Sequence, residues 1–86
     1  MQLHDPCVRH ILQYLDTALK DKTSVSFNEV MGAPACRKYT VRDIGQALEL
    51  LRRNGLVKAT SRFGCSELLS FTATAVTDAG RNFLKF

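Results

Sequence analysis

Residues 40–57 read TVRDIGQALELLRRNGLV, and this stretch decides the fold of the chain. Thr40 is a residue type favoured immediately before a helix, and Asp43 stands three residues later in the position of a capping-box acid. Gly55 follows an asparagine and is typical of a helix stop, because glycine adopts the left-handed conformation that ends many helices. The sequence therefore predicts a helix over residues 40–53, followed at once by a strand.

This helix has one apolar and one polar side. The apolar side chains project together on an ideal helix: Val41, Ile44, Leu48 and Leu51. The polar side chains project to the opposite side: Arg42, Gln46, Glu49 and Arg53. We expect the apolar side to face the core, and Glu49 to pair with Arg53 on the exposed surface of the helix.

The N-terminal half of the chain predicts two further helices. Asp5 and Pro6 suit a helix start, because proline tolerates the first helical position. Apolar residues then recur at helical spacing: Val8, Ile11, Leu12, Leu15 and Leu19. A short strand is expected at residues 23–26, and Ser26 caps a short helix that ends before Pro34.

The C-terminal half predicts a hairpin over residues 56–76 with its turn at residues 64–67, and then a short apolar helix. Lys58, Thr60 and Arg62 alternate on one face of the first strand of this hairpin. The predicted core combines the two helical stripes with one residue of the hairpin: Val8, Ile11, Leu15, Ile44, Leu48, Leu51 and Phe71.

The pattern around residues 40–57 resembles the recognition helix and wing of winged helix-turn-helix proteins. The resemblance lies in the spacing LxxLxxxGLV, which here is Leu48, Leu51, Gly55, Leu56 and Val57. Residues 76–84, VTDAGRNFL, are similar to the LTxxGxxxL close of small bacterial and phage winged-helix regulators. The resemblance implies an α+β fold with a three-helix core, a β-hairpin wing and a short C-terminal helix, in a single domain over residues 1–86.

Positive charge is concentrated in the middle of the chain. The net charge is +4, yet the segment between residues 37 and 62 holds seven basic side chains against two acidic ones. A clustered basic surface is typical of proteins that bind a phosphate backbone, whereas an ordinary solvated face is the alternative interpretation.

Arg42 and Gln46 are the expected base-reading residues, because arginine pairs with guanine and glutamine with adenine through two hydrogen bonds each. They lie in the N-terminal half of the helix, the part that enters the major groove in this motif. The resemblance implies that Thr40 supports them. It also implies phosphate contacts from a wider set of side chains: Arg37, Lys38, Tyr39, Arg53, Lys58 and Arg62.

The two ends of the chain carry side chains that suggest an interface between two copies. A homodimer contact accounts for a set that a domain of 86 residues does not readily cover: Cys7, His10, Tyr14, Phe83 and Phe86. Zinc binding by His4, Cys7 and His10 is the less economical interpretation, because no fourth ligand is evident. No metal and no cofactor are therefore expected.

Three scattered cysteines favour a reducing cytoplasm over a disulfide framework. Cys36 precedes two basic residues, which would give its thiol some thiolate character, although an inert thiol is the default. The N-terminus lacks the features of a secretory signal, and no apolar run approaches the roughly 20 residues that span a membrane. No nucleophile motif, phosphate loop or carboxylate pair indicates an enzyme.

These features predict a small sequence-specific protein that binds double-stranded DNA as a transcriptional regulator, with helix 40–53 in the major groove and hairpin 56–76 as the wing. The alternative is a winged-helix module whose basic face binds an acidic protein partner.

Overall fold

Four α-helices and one three-stranded antiparallel sheet make up the part of the chain that the structure, a computed structural model, describes: residues 2–64 and 67–85. In chain order the elements are α1 (Pro6–Ala18), β1 (Val25–Ser26), α2 (Phe27–Gly32), a 3-10 helix (Pro34–Cys36), α3 (Val41–Arg53), β2 (Val57–Gly64), β3 (Glu67–Val76) and α4 (Asp78–Leu84). The strand order is β1-β3-β2, so the longest strand lies in the centre. The predicted α+β class is confirmed.

Side-chain caps begin three of the helices. The Thr40 hydroxyl oxygen accepts a hydrogen bond from the backbone N–H of Asp43 at 3.1 Å, as the sequence predicts for α3. The Ser26 hydroxyl oxygen likewise accepts from the N–H of Glu29 at 3.3 Å, at the start of α2. Such caps satisfy N–H groups that have no partner within the helix.

The start of α1 is different. Asp5 occupies the N-cap position and Pro6 the first turn, as predicted, but the Asp5 side chain makes no capping bond. Its carboxylate instead accepts from the backbone N–H of Gln2 at 3.2 Å. The carboxylate therefore holds the preceding segment rather than the helix.

The end of α3 is a Schellman turn. Gly55 has a φ of 71°, a conformation that glycine adopts without the strain of a Cβ atom. The N–H of Gly55 donates to the carbonyl oxygen of Arg52 at 3.1 Å, and the N–H of Leu56 donates to that of Leu51 at 3.0 Å. These bonds complete the last turn of α3 and turn the chain directly into β2.

The core lies where α1, α3 and the sheet meet. All the predicted core positions are buried: Val8, Ile11, Leu15, Ile44, Leu48, Leu51 and Phe71. The prediction for Val41 is wrong, because its side chain is 61% exposed. Val41 is the first residue of α3, and the apolar side of this helix becomes buried only from Ile44 onward.

Cys7 and Cys36 belong to this core. Burial raises the pKa of Cys7 to about 11, with a further contribution from Asp43, and burial also raises the pKa of Cys36. Both thiols therefore stay protonated at neutral pH. The default interpretation of Cys36 as an inert thiol agrees with this burial, and the alternative of thiolate character does not, because the thiol is fully buried while the basic residues that follow it are exposed.

The hairpin pairs Val57 with Val76 at its base and Gly64 with Glu67 at its far end. Its register shifts between Lys58 and Ala59 and again between Arg62 and Phe63, where β3 has an additional residue each time. The predicted turn includes residues 65 and 66, which lie outside the described residues. No helix in the described ranges is both long and apolar enough to cross a membrane.

The start of α4 is fixed against the end of α3. The Thr77 hydroxyl donates to the carbonyl oxygen of Gly55 at 2.6 Å, and the Thr77 N–H donates to that of Leu56 at 3.0 Å. Gly80 lies so close to this turn that an added Cβ atom would stand 2.2 Å from the Leu56 oxygen and 2.8 Å from a methyl carbon of Val76. Only glycine fits here.

We expect Gly80→Ala to lower the free energy of unfolding by about 1–3 kcal/mol or more, since the new methyl group must displace backbone. Gly32→Ala is the matched control, because a Cβ atom at Gly32 would meet nothing within 4 Å. Urea unfolding of both variants measures the difference. Equal stability of the two variants would contradict the close approach of α4 to Leu56.

Candidate functional site

The first half of α3 exposes the two side chains expected to read bases. Arg42 and Gln46 are both exposed and lie one helical turn apart, while Ile44 and Leu48 on the other side of the same turns are buried. Thr40 is exposed at the start of the helix, where its oxygen caps Asp43. The structure therefore brings these three predicted residues to one end of α3.

Two further cations lie immediately before α3. Arg37 and Lys38 are exposed, and the Lys38 ammonium lies 5.3 Å from the centre of the Tyr39 ring. The Tyr39 hydroxyl shares a hydrogen bond of 2.7 Å with Nδ1 of His10 in α1. Tyr39 thus fixes the segment before α3 to α1. The sequence did not indicate this role, since Tyr39 and His10 are 29 positions apart.

The cations of the hairpin occupy a different face. Lys58, Thr60 and Arg62 are exposed and alternate along β2, as predicted. Ser61 between them lies near Glu49 of α3 and helps to lower the pKa of its carboxyl group. The face of β2 that carries Lys58 and Arg62 is therefore the one directed away from α3.

Glu49 occupies the space between α3 and β2, and its expected surface position is wrong. Its residue exposure is 7%, although it lies on the same helical side as Arg42 and Gln46. The expected pair with Arg53 is confirmed, with 3.2 Å between Arg53 Nε and the Glu49 carboxylate. Arg52 also binds the Glu49 carboxylate. Its Nε lies 3.1 and 3.2 Å from the two carboxylate oxygens, and one of its terminal nitrogens donates a further hydrogen bond.

The charge state of Glu49 follows from these contacts. Burial is the largest single influence and acts to raise its pKa. The hydrogen bonds and charge of Arg52, together with Ser61 and Arg53, outweigh burial, so the pKa lies below the ordinary value of 4.5. Glu49 is therefore ionised at neutral pH and partly neutralises two of the seven cations in the basic segment.

The residues expected at a homodimer interface are all at least partly buried where the structure describes their side chains. Cys7 lies in the core, with its thiol 3.9 Å from the Asp43 carbonyl oxygen, so it is not available to a partner surface. His10, Tyr14 and Phe83 are partly buried. Phe86 lies outside the described residues.

Phe83 is already in contact with α1 and with the segment before it. The Arg9 guanidinium lies 5.9 Å from the centre of its ring, and His4 stacks on the ring with 6.0 Å between centroids. Arg9 also donates to the Leu84 carbonyl oxygen at 2.8 Å. The C-terminal helix is thereby fixed to α1 within one copy of the chain.

Comparison of the chain with protein-family models, with curated proteins and with solved structures finds no match. What this chain binds must therefore be inferred from its own side chains.

We expect the Glu49 cluster to make the protein sensitive to acid. The pKa of Glu49 is lower in the folded state, so its stabilisation is present above pH 4.5 and is lost as pH falls through the folded-state pKa. Glu49→Gln should cost about 1–3 kcal/mol of unfolding free energy at pH 7 and less at pH 3, because the charge-assisted bonds are lost. Urea unfolding at both pH values measures the two differences.

Glu29→Gln is the control for this prediction. Glu29 also has a lowered pKa through its bond to Lys22, but both side chains are exposed. Exposed pairs contribute little, so its pH dependence should remain close to that of the wild type. A Glu49→Gln variant that shows an equal cost at both pH values would contradict the assigned charge state.

Proposed function

We propose that this chain is a small sequence-specific protein that binds double-stranded DNA, of winged-helix type, and acts as a transcriptional regulator. Helix α3 would enter the major groove, and the β2–β3 hairpin would act as the wing. The observation that carries the proposal is the exposure of Arg42 and Gln46 on the first half of α3, next to the exposed cations Arg37 and Lys38.

The spacing of the two base-reading candidates suits a duplex. Four residues of helix rise about 6 Å, close to two base-pair steps of about 3.4 Å. Arg42 would donate to guanine and Gln46 would pair with adenine in the major groove. The Thr40 oxygen is occupied by its cap, but its hydroxyl hydrogen is still able to support a neighbouring contact.

Phosphate contacts would come from both sides of this helix. Arg37, Lys38 and Tyr39 precede it, while Lys58 and Arg62 on the outer face of the wing would reach a neighbouring stretch of backbone. These contacts hold the protein on the duplex and carry no sequence information. Arg53 was expected in the same set; its side chain is 68% exposed, and its Nε is paired with Glu49.

An acidic protein partner for the same surface is the second candidate. It is favoured by Val41, whose side chain is 61% exposed next to Arg42 and gives this basic surface an apolar contact. Interfaces between proteins commonly combine an apolar centre with a charged rim. A cytoplasmic location is proposed with either function.

We expect binding to duplex DNA to weaken steeply with salt, with a log–log slope of about −0.9 for each phosphate neutralised. Lys38→Ala or Arg62→Ala should flatten this slope by about one unit on any sequence. Arg42→Ala or Gln46→Ala should cost about 1–3 kcal/mol on a selected site and little on random duplex. Fluorescence anisotropy on both duplexes across a salt series measures these effects.

Lys20→Ala is the matched control, because it removes the same charge from an exposed position outside the basic segment. It should leave the slope unchanged. Absence of duplex binding at low salt would overturn the DNA proposal and favour the acidic protein partner. Equal losses on selected and random DNA for Arg42→Ala would make Arg42 a phosphate contact.

We also propose that the protein acts as a homodimer through α1 and the C-terminal segment. Tyr14 and Phe83 are the partly buried side chains that would contribute. Sedimentation at high micromolar concentration should show a species of twice the 9.6 kDa chain mass. A species at the chain mass alone would contradict the dimer without affecting the DNA proposal.

A further inference from the structure

Glu49 lies in an unusual place for an acidic residue in a DNA-binding surface. Helical periodicity puts it on the side of Arg42 and Gln46, within the stripe that would meet the duplex. Yet its side chain is only 9% exposed, and β2 contributes Ser61 to its surroundings. A carboxylate that simply faced the phosphates would repel them, whereas this one is enclosed by protein.

The hydrogen bonds of Glu49 occupy Nε and one terminal nitrogen of Arg52 and Nε of Arg53. Arg52 directs both Nε and a terminal nitrogen at the carboxylate, which is the two-pronged geometry that arginine also uses for phosphate. Arg53 directs its Nε to the same group. A planar guanidinium whose Nε edge is bound to a carboxylate cannot present that edge to DNA.

The pairing divides the basic segment into two classes. Arg52 and Arg53 are paired with Glu49, and their three charges sum to a single positive charge. Among the described residues, no salt bridge involves the other five cations of the segment: Arg37, Lys38, Arg42, Lys58 and Arg62. The second class therefore supplies five of the six net positive charges that the seven cations and Glu49 carry together.

We propose that Glu49 is a positioning residue that holds Arg52 and Arg53 away from the DNA backbone and thereby limits binding to random duplex. This inference rests on the proposed function. Phosphate contacts strengthen binding to every sequence alike, so withholding two of them lowers the affinity for random duplex and for a selected site by the same factor. The contacts of Arg42 and Gln46 then supply a larger share of the affinity for a selected site.

The expected size of the effect follows from counterion release. Each phosphate contact changes the log–log salt slope by about 0.9, which corresponds to about a three- to fourfold change in affinity between about 50 and 200 mM salt. Two contacts together correspond to about a tenfold change over that range. An effect of this size is well within the resolution of an anisotropy titration.

The test compares Glu49→Gln with the wild type on random duplex. Glutamine keeps the shape of the side chain but removes the charge that holds both arginines. We expect the slope of Glu49→Gln to be steeper by one to two units, so its affinity relative to the wild type should rise by about three- to tenfold as salt falls from about 200 to about 50 mM. Affinity for a selected site should rise by the same factor, so the ratio of specific to non-specific binding should stay the same.

Arg53→Ala, measured in the wild type and in Glu49→Gln, distinguishes release of the arginines from a general effect of the lost negative charge. In the wild-type background, Arg53→Ala should change the salt slope by less than about half a unit, because Arg53 is paired with Glu49. In the Glu49→Gln background the same substitution should flatten the slope by about one unit. Lys58→Ala is the control for a free cation and should flatten the slope by about one unit in both backgrounds.

Several results would overturn the proposal. If Arg53→Ala flattens the wild-type slope as much as Lys58→Ala does, Arg53 contacts phosphate even though Glu49 is present. Weaker binding of Glu49→Gln would show that Glu49 orients the arginines toward DNA. If circular dichroism shows Glu49→Gln to be unfolded, Arg52→Ala and Arg53→Ala decide by the same slope criterion. A wild type that binds no duplex refutes the proposed function, and this inference with it.

Discussion

The turn at Gly55 and Leu56 is the constraint on which the rest of the structure depends. Its two carbonyl oxygens accept bonds from Thr77, and its two N–H groups complete the last turn of α3. Helix, hairpin and C-terminal helix therefore meet at two residues. The positive φ of Gly55 and the missing side chain of Gly80 make this meeting sterically possible.

The same turn determines which part of α3 is able to bind a ligand. Because β2 leaves the helix immediately, Ser61 comes close to Glu49 and the Glu49 side chain is buried, whereas Arg53 one turn later is exposed. Arg42 and Gln46 in the first half stay exposed. The proposed DNA-binding residues Arg42 and Gln46 and the charge cluster of Glu49 thus occupy one helical stripe, separated by a single turn of helix.

Local signals in the sequence predicted the elements well. Thr40, Ser26 and Gly55 act through bonds and dihedral angles within a few residues, so their effects can be read from the sequence alone. The apolar stripes of α1 and α3 predicted the core for a related reason. Their spacing brings them to one side of each helix wherever that helix packs.

The errors in prediction concern contacts between distant elements. The burial of Glu49 depends on β2, which crosses α3 only after the Gly55 turn, and helical periodicity contains no information about a strand. The exposure of Val41 depends on how far the neighbouring elements cover the start of α3. The bond between His10 and Tyr39 joins positions 29 residues apart and has no local signature.

The most direct test of the account is an NMR titration of ¹⁵N-labelled protein with random duplex DNA at low salt. We expect the largest shift changes at backbone amides of residues 37–46 and 58–62, with little change over residues 11–19 and 78–84. Changes confined to those last two ranges, or no changes at any amide, would contradict the claim that the exposed half of α3 is a DNA-binding surface.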